Sequence, residues 1–93
     1  MSSVRRSAVT GVGGYLPDEI VTNDDLAKFV DTSDEWIRER TGIRMRRRAS
    51  PDQAVSDLAV EAARQALSAA GRTVDEVDLI IVATTTPDLT FPA

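Results

Sequence analysis

Val55-Ser56-Asp57-Leu58-Ala59-Val60-Glu61-Ala62-Ala63-Arg64-Gln65-Ala66-Leu67-Ser68-Ala69-Ala70 and, after an eight-residue break, Leu79-Ile80-Ile81-Val82-Ala83 decide how this chain is read. In the first run Val55, Leu58, Ala59, Ala62, Ala63, Ala66, Leu67 and Ala70 recur at i, i+3, i+4, i+7, i+8, i+11, i+12 and i+15, the period of a helix with one apolar face. Ser56, Asp57, Glu61, Arg64 and Ser68 take the opposite face, and Gly71 is placed to stop the helix. Ahead of it Ser50-Pro51-Asp52-Gln53 offers a capping serine, proline at the first helical position and glutamine at the third. The stripe is mostly alanine, which lets such a helix pack closely on a sheet. The second run is continuously aliphatic and does not alternate, so it predicts a strand covered on both faces, as in the centre of a parallel sheet.

Upstream, Ser7-Ala8-Val9-Thr10-Gly11-Val12-Gly13-Gly14-Tyr15-Leu16-Pro17 reads as a strand running into a glycine-rich bend. Gly11, Gly13 and Gly14 permit close backbone approach or positive φ. Their spacing lacks the third glycine of a dinucleotide fingerprint, and no helix opens directly behind them, so a bend is a better reading than a phosphate cradle. Thr22-Asn23-Asp24-Asp25 starts a short helix with Leu26, Phe29 and Val30 on its apolar face. Thr32 and Glu35 have the spacing of a capping box and open a second helix, which Gly42 ends. Ile43 to Ala49 predicts an extended, arginine-rich edge segment, where lone charges often serve only to discourage aggregation.

The resulting order is strand, two short helices, edge segment, long helix and buried strand: the opening of a layered α/β domain with right-handed crossovers. One amphipathic helix covers one side of the 79–83 strand. The expectation is therefore the front part of a larger domain, with apolar sheet surface that would invite association if left alone.

Composition narrows the function classes. Ninety-three residues, 42% apolar and 28% charged, describe one ordinary globular domain. No apolar run approaches the roughly 20 residues that span a bilayer. The start, Met1-Ser2-Ser3-Val4-Arg5-Arg6, has no apolar segment of a secretory signal behind it, which predicts a cytoplasmic, membrane-free protein. With no cysteine and no histidine, the chain holds neither thiol chemistry nor the commonest general base and metal ligand, and no metal site is expected. The net charge is −4, yet Arg38, Arg40, Arg44, Arg46, Arg47 and Arg48 fall within eleven consecutive positions. A basic strip in an acidic protein suits a compact anion better than a long duplex, and the single tryptophan without interleaved aromatics argues against a nucleic-acid binder.

Trp36 and Arg40, one turn apart on the helix opened by Thr32, place an indole and a guanidinium on one face. Such a pair suits a nucleotide carrying a phosphate tail. On spacing alone, a tryptophan in a core with arginines in solvent is the more ordinary reading.

Several stretches, taken in order, carry a more specific resemblance. Gly11-Val12-Gly13-Gly14-Tyr15-Leu16-Pro17, Thr22-Asn23, Asp31-Thr32-Ser33-Asp34-Glu35-Trp36-Ile37 and Arg40-Thr41-Gly42-Ile43-Arg44 resemble the N-terminal signature of the beta-ketoacyl-[acyl-carrier-protein] synthase III family. Val55-Ser56-Asp57-Leu58-Ala59, then Leu79 through Asp88, then Phe91-Pro92-Ala93 continue the pattern to the last residue. The resemblance implies the N-terminal part, over residues 1–93, of a thiolase-like layered α/β/α/β/α fold that is incomplete in this chain.

It further implies an acyltransferase that starts type II fatty-acid synthesis. A short acyl-CoA is condensed with malonyl-acyl carrier protein to give beta-ketoacyl-acyl carrier protein, CoA and CO2, in a homodimer without a permanently bound cofactor. The family's cysteine nucleophile, histidine and catalytic asparagine have no counterpart here, so no catalytic residue is assigned and the chain alone is expected to be inactive. Carried over by motif, Trp36 would stack on the adenine of coenzyme A, Thr32 would lie near the adenine edge, and Arg40 would meet the phosphate-bearing end, with Thr41 beside them. Phe91 would reach across the dimer to close the partner's acyl pocket, unless it simply packs in a core. Arg44, Arg46, Arg47 and Arg48 match no specific role in the family; steering of the acidic carrier protein is one use for them, and ordinary surface charge is the other. Two other readings stay open: a related ketosynthase priming polyketide synthesis, and a non-catalytic fragment that binds coenzyme A or a nucleotide.

Overall fold

The computed structural model describes residues 4–90. They divide into two compact units, one of residues 16–54 and one of residues 4–15 with 55–90.

The first unit runs β1 (Glu19–Thr22), α1 (Asn23–Ala27), α2 (Asp34–Thr41) and β2 (Met45–Arg48). β1 and β2 pair antiparallel, with Glu19 opposite Arg48, Ile20 opposite Arg47, Val21 opposite Arg46 and Thr22 opposite Met45. Opposite charges facing each other across a ladder favour that register. The Arg48 guanidinium donates to both carboxylate oxygens of Glu19, at 3.1 and 2.5 Å. The extended segment expected over Ile43 to Ala49 is thus β2.

Thr22 caps α1 as its sequence predicts. Its hydroxyl accepts from the Asp25 N–H at 3.1 Å, and the Asp25 carboxylate accepts from the Thr22 N–H at 2.9 Å. Phe29 and Val30, beyond the end of this short helix, lie exposed. The start of α2 corrects the sequence reading: Ser33, not Thr32, is the cap, its hydroxyl accepting from the Trp36 N–H at 3.1 Å. The acidic Asp34 and Glu35 occupy the first turn and Arg38 and Arg40 the last, each end complementing the helix dipole. Gly42, at φ 75°, closes α2 in the left-handed conformation that favours glycine, donating to the Arg38 carbonyl at 2.8 Å.

The second unit is built on α3 (Val55–Ala70), followed by a 3-10 turn at Val74–Glu76. α3 starts later than its upstream signature suggests. Ser50 and Gln53 close a turn instead, with the Gln53 N–H donating to the Ser50 carbonyl and the Ser50 N–H to Gln53 Oε1, both at 3.0 Å. The first turn of α3 is served from far along the chain, where Asp88 Oδ1 accepts from the Ser56 N–H at 3.0 Å. At the other end the Arg72 N–H reaches the Leu67 carbonyl at 3.0 Å around Gly71, the expected stop.

The alanine stripe of α3 meets bare backbone. A Cβ at Gly11 would stand 2.8 Å from the Ala70 nitrogen, and one at Gly13 would stand 2.6 Å from the Ala66 nitrogen. Close approach, not phosphate binding, is therefore what these two glycines serve. The Gly14 N–H adds a bond to Gln65 Oε1 at 3.2 Å.

Neither the strand expected to run from Ser7 into the glycine-rich bend nor the one over 79–83 forms; among the described residues the sheet is β1–β2 alone. A run of aliphatic side chains supplies propensity, but a strand exists only when a neighbour takes its backbone hydrogen bonds. Without one, Leu79, Ile80, Ile81 and Val82 stay 60–83% exposed. The α/β character holds, while no large hydrophobic side chain is buried among the described residues.

Gly13→Ala tests the backbone contact. The added methyl meets main-chain atoms that cannot step aside, and overpacking of that kind costs about 1–3 kcal/mol. Gly14→Ala, whose methyl would enter open space, is the matched control. Thermal unfolding should show a lower midpoint for the first variant alone; equal midpoints would refute the contact.

Candidate functional site

Trp36 and Arg40 come together on α2 as their spacing requires. The Arg40 guanidinium carbon lies 4.6 Å from the centroid of the Trp36 ring, within cation–π range, and the indole is 52% exposed. The ring is thus not packed into hydrocarbon. It presents an aromatic surface with a cation fixed beside it. A shallow open depression on the same helix is lined by Glu35, Arg38 and Glu39.

Moving the cap to Ser33 changes what Thr32 has to offer. Its Oγ1 is shielded from solvent and lacks a hydrogen-bond partner among the described residues. A shielded hydroxyl without a partner retains both donor and acceptor capacity. Thr41 is different, because its hydroxyl donates to the Ile37 carbonyl at 2.8 Å and accepts from the Ile43 N–H at 3.0 Å. It ties the last turn of α2 to the residues that follow. Phe91 lies outside the described residues.

The arginine strip is largely engaged with its own unit. Arg46 donates to the Val21 carbonyl at 3.2 Å and to Asn23 Oδ1 at 2.8 Å, Arg47 donates to the Pro17 carbonyl at 2.9 Å, and Arg48 is paired with Glu19. Asn23, absent from the candidate residues drawn from sequence, is the partner of Arg46 and ties it to the residues at both ends of α2. It is 1% exposed, and its Nδ2 donates to Asp34 Oδ1 at 2.9 Å and to the Ile43 carbonyl at 2.8 Å. The only signal in the sequence was an asparagine, the single one in the chain, following a capping threonine. That pattern says helix start and nothing about burial.

The Asn23 amide holds the Asp34 carboxyl below its ordinary value; partial burial opposes this, and Arg38 and Arg44 reinforce it. Arg38 Nε donates to Asp34 Oδ2 at 2.9 Å, so the carboxylate at the head of α2 is held from two sides. Among the described residues no acidic cluster could hold a metal ion, and no helix is long and apolar enough to cross a membrane.

No family model matches the chain. Comparison with curated proteins finds 76% identity over 88 residues, 95% of this chain, to a beta-ketoacyl-[acyl-carrier-protein] synthase III from Caulobacter vibrioides. Among solved structures, a 3-oxoacyl-[acyl-carrier-protein] synthase III from Aquifex aeolicus superposes with a TM-score of 0.79 at 51% identity, covering 89% of this chain and 27% of that one. The priming beta-ketosynthase of the R1128 polyketide pathway gives 0.71 at 40% identity, over 85% and 25%. The resemblance drawn from the motifs is therefore shown along nearly the whole chain, and with it the partial thiolase-like α/β fold. The chain spans 27% of the length of the Caulobacter relative.

The Asp34 interactions predict an acid dependence with a definite sign. Because the folded carboxyl titrates below its unfolded value of about 3.9, its contribution is fully present above that pH and is lost as pH falls through the lower folded value. Fluorescence of Trp36, the sole tryptophan, should report the loss in that acid window. Asp34→Asn should flatten it, and an acid titration identical to that of the parent would contradict the assignment.

Proposed function

We propose that residues 16–54 form the nucleotide-recognising part of a beta-ketoacyl-[acyl-carrier-protein] synthase III-type acyltransferase, with acyl-CoA as the substrate they hold. The observation that carries this reading is the half-exposed Trp36 ring with the Arg40 guanidinium 4.6 Å from its centroid. Adenine is flat and aromatic and the rest of the nucleotide is anionic, so one helical turn offers a partner to each. Thr32 has a weaker claim, since its unpartnered hydroxyl is shielded from solvent and would have to be uncovered to meet the edge of the base. Thr41 takes a supporting part, since its hydroxyl is already bonded on both sides.

In this reading the acyl group travels as a thioester on coenzyme A to a nucleophile that these 93 residues do not supply, there being no cysteine or histidine among them. The overall condensation with malonyl-acyl carrier protein, initiation of fatty-acid synthesis, homodimer formation, a cytoplasmic address and the acyl-pocket role of Phe91 all belong to this proposal. It is supported by identity to named synthases along the chain. A second acceptor class, polyketide priming, is favoured by the likeness to the R1128 ketosynthase. Steering of the carrier protein by the arginine strip gains little support, because Arg46, Arg47 and Arg48 are each occupied within their unit.

The reading predicts a split between two acyl donors in a full-length protein carrying these residues. Base stacking on an aromatic side chain contributes about 1–3 kcal/mol, so Trp36→Ala should raise KM for acyl-CoA by roughly fivefold to more than a hundredfold. KM for acyl-pantetheine, the same thioester without the nucleotide, should not move. Equal KM changes for both donors, or none for either, would overturn the adenine platform.

A further inference from the structure

We infer that Asn23 is the positioning residue of the Trp36–Arg40 platform, an inference that rests on the coenzyme A reading above. One carboxamide straps both ends of α2. Its Nδ2 donates to Asp34, the first residue of the helix, and to the carbonyl of Ile43, two residues past the last. Its Oδ1 accepts from Arg46 Nη2, and its backbone N–H donates to the Arg44 carbonyl at 3.2 Å, which ties the same residue to β2. The helix bearing the platform is thereby fixed against the sheet through a single side chain that is 1% exposed.

Few side chains can do this. The position needs two N–H donors and one acceptor on a short stem, which among the side chains only asparagine provides. An aspartate there would keep an acceptor for Arg46, lose both donors and face the Asp34 carboxylate with a second negative charge. A leucine would leave the Asp34 oxygen, the Ile43 carbonyl and Arg46 without their partner. Trp36 stands on the first turn of α2 and Arg40 on the last, so any tilt of the helix displaces the stacking surface and the cation together. Asn23 touches neither residue in the interactions described, and acts on the ligand only through the helix it holds.

The test compares acyl-CoA with acyl-pantetheine in the full-length protein. Asn23→Asp should raise KM for acyl-CoA by roughly twofold to tenfold, as expected if about half of a base-stacking contribution is lost, and leave KM for acyl-pantetheine and kcat in place. Pairing it with Asp34→Asn restores a donor between the two positions and should recover part of the loss. Should Asn23→Asp fail to fold, Asp34→Ala cuts the strap at its more exposed end and should show the same donor-selective rise, of smaller size. An equal fall with both donors would reduce Asn23 to a general fold-keeper, and no change with either would remove it altogether; both results overturn the inference. Trp36→Ala keeps the two questions apart. If that variant separates the donors and the Asn23 and Asp34 variants do not, the positioning inference alone fails. If Trp36→Ala does not separate them, the coenzyme A reading fails first.

Discussion

A buried carboxamide, not a hydrocarbon core, organises the unit that carries the candidate site. Asn23 is 1% exposed, while no large apolar side chain among the described residues is buried. Leaving a buried donor or acceptor unsatisfied costs about 1–3 kcal/mol, so a carboxamide that binds Asp34, Ile43 and Arg46 at once, on a residue whose backbone N–H holds the Arg44 carbonyl, constrains all four. Such networks are unforgiving in a way that apolar packing is not. A methyl group tolerates small shifts of its neighbours, whereas a hydrogen bond weakens steeply with angle. The orientation of α2 is accordingly set by geometry more than by burial.

That constraint explains where the sequence misleads. Thr32 and Glu35 satisfy the capping-box pattern, yet Ser33 is the cap. Asp34 is drawn to Asn23, eleven residues upstream, as the first residue of the helix, and the residue before it takes the capping position. Local pattern offered two adjacent hydroxyls, and a tertiary hydrogen bond chose between them. The same holds at α3, whose first turn is served by Asp88 while the serine just upstream spends its bonds on a turn. Features that depend only on neighbours in sequence were legible: the period of α3, the Thr22 cap, the glycines at 42 and 71. The strand expected ahead of the glycine-rich bend and the one over 79–83 depend on partners that a linear pattern cannot name.

The candidate site divides along the same line. The meeting of Trp36 and Arg40 follows from helical spacing alone and was readable, as was the close approach allowed by Gly11 and Gly13. Charge density was a poorer guide. Six arginines in eleven positions suggest a surface built for an anion, but Arg46, Arg47 and Arg48 are bound to Asn23, Pro17 and Glu19. Their positive charge serves carbonyls and a carboxylate within the unit. Arg40, by contrast, is directed onto an aromatic ring, and that pairing gives it a different chemistry from its neighbours.

An eight-residue helix has little stability of its own, since nucleation is costly and isolated helices shorter than about 12–15 residues are marginal in water. α2 persists because each end is closed: Ser33 and Asp34 at the start, Thr41 and Gly42 at the finish, with Asn23 reaching both. An indole on such a helix keeps its orientation only as long as those bonds do. Under the proposed coenzyme A reading, the precision of Trp36 and Arg40 would rest on the hydrogen bonds that hold α2. The spacing of the two residues brings them together, and the hydrogen bonds around α2 decide which way they face.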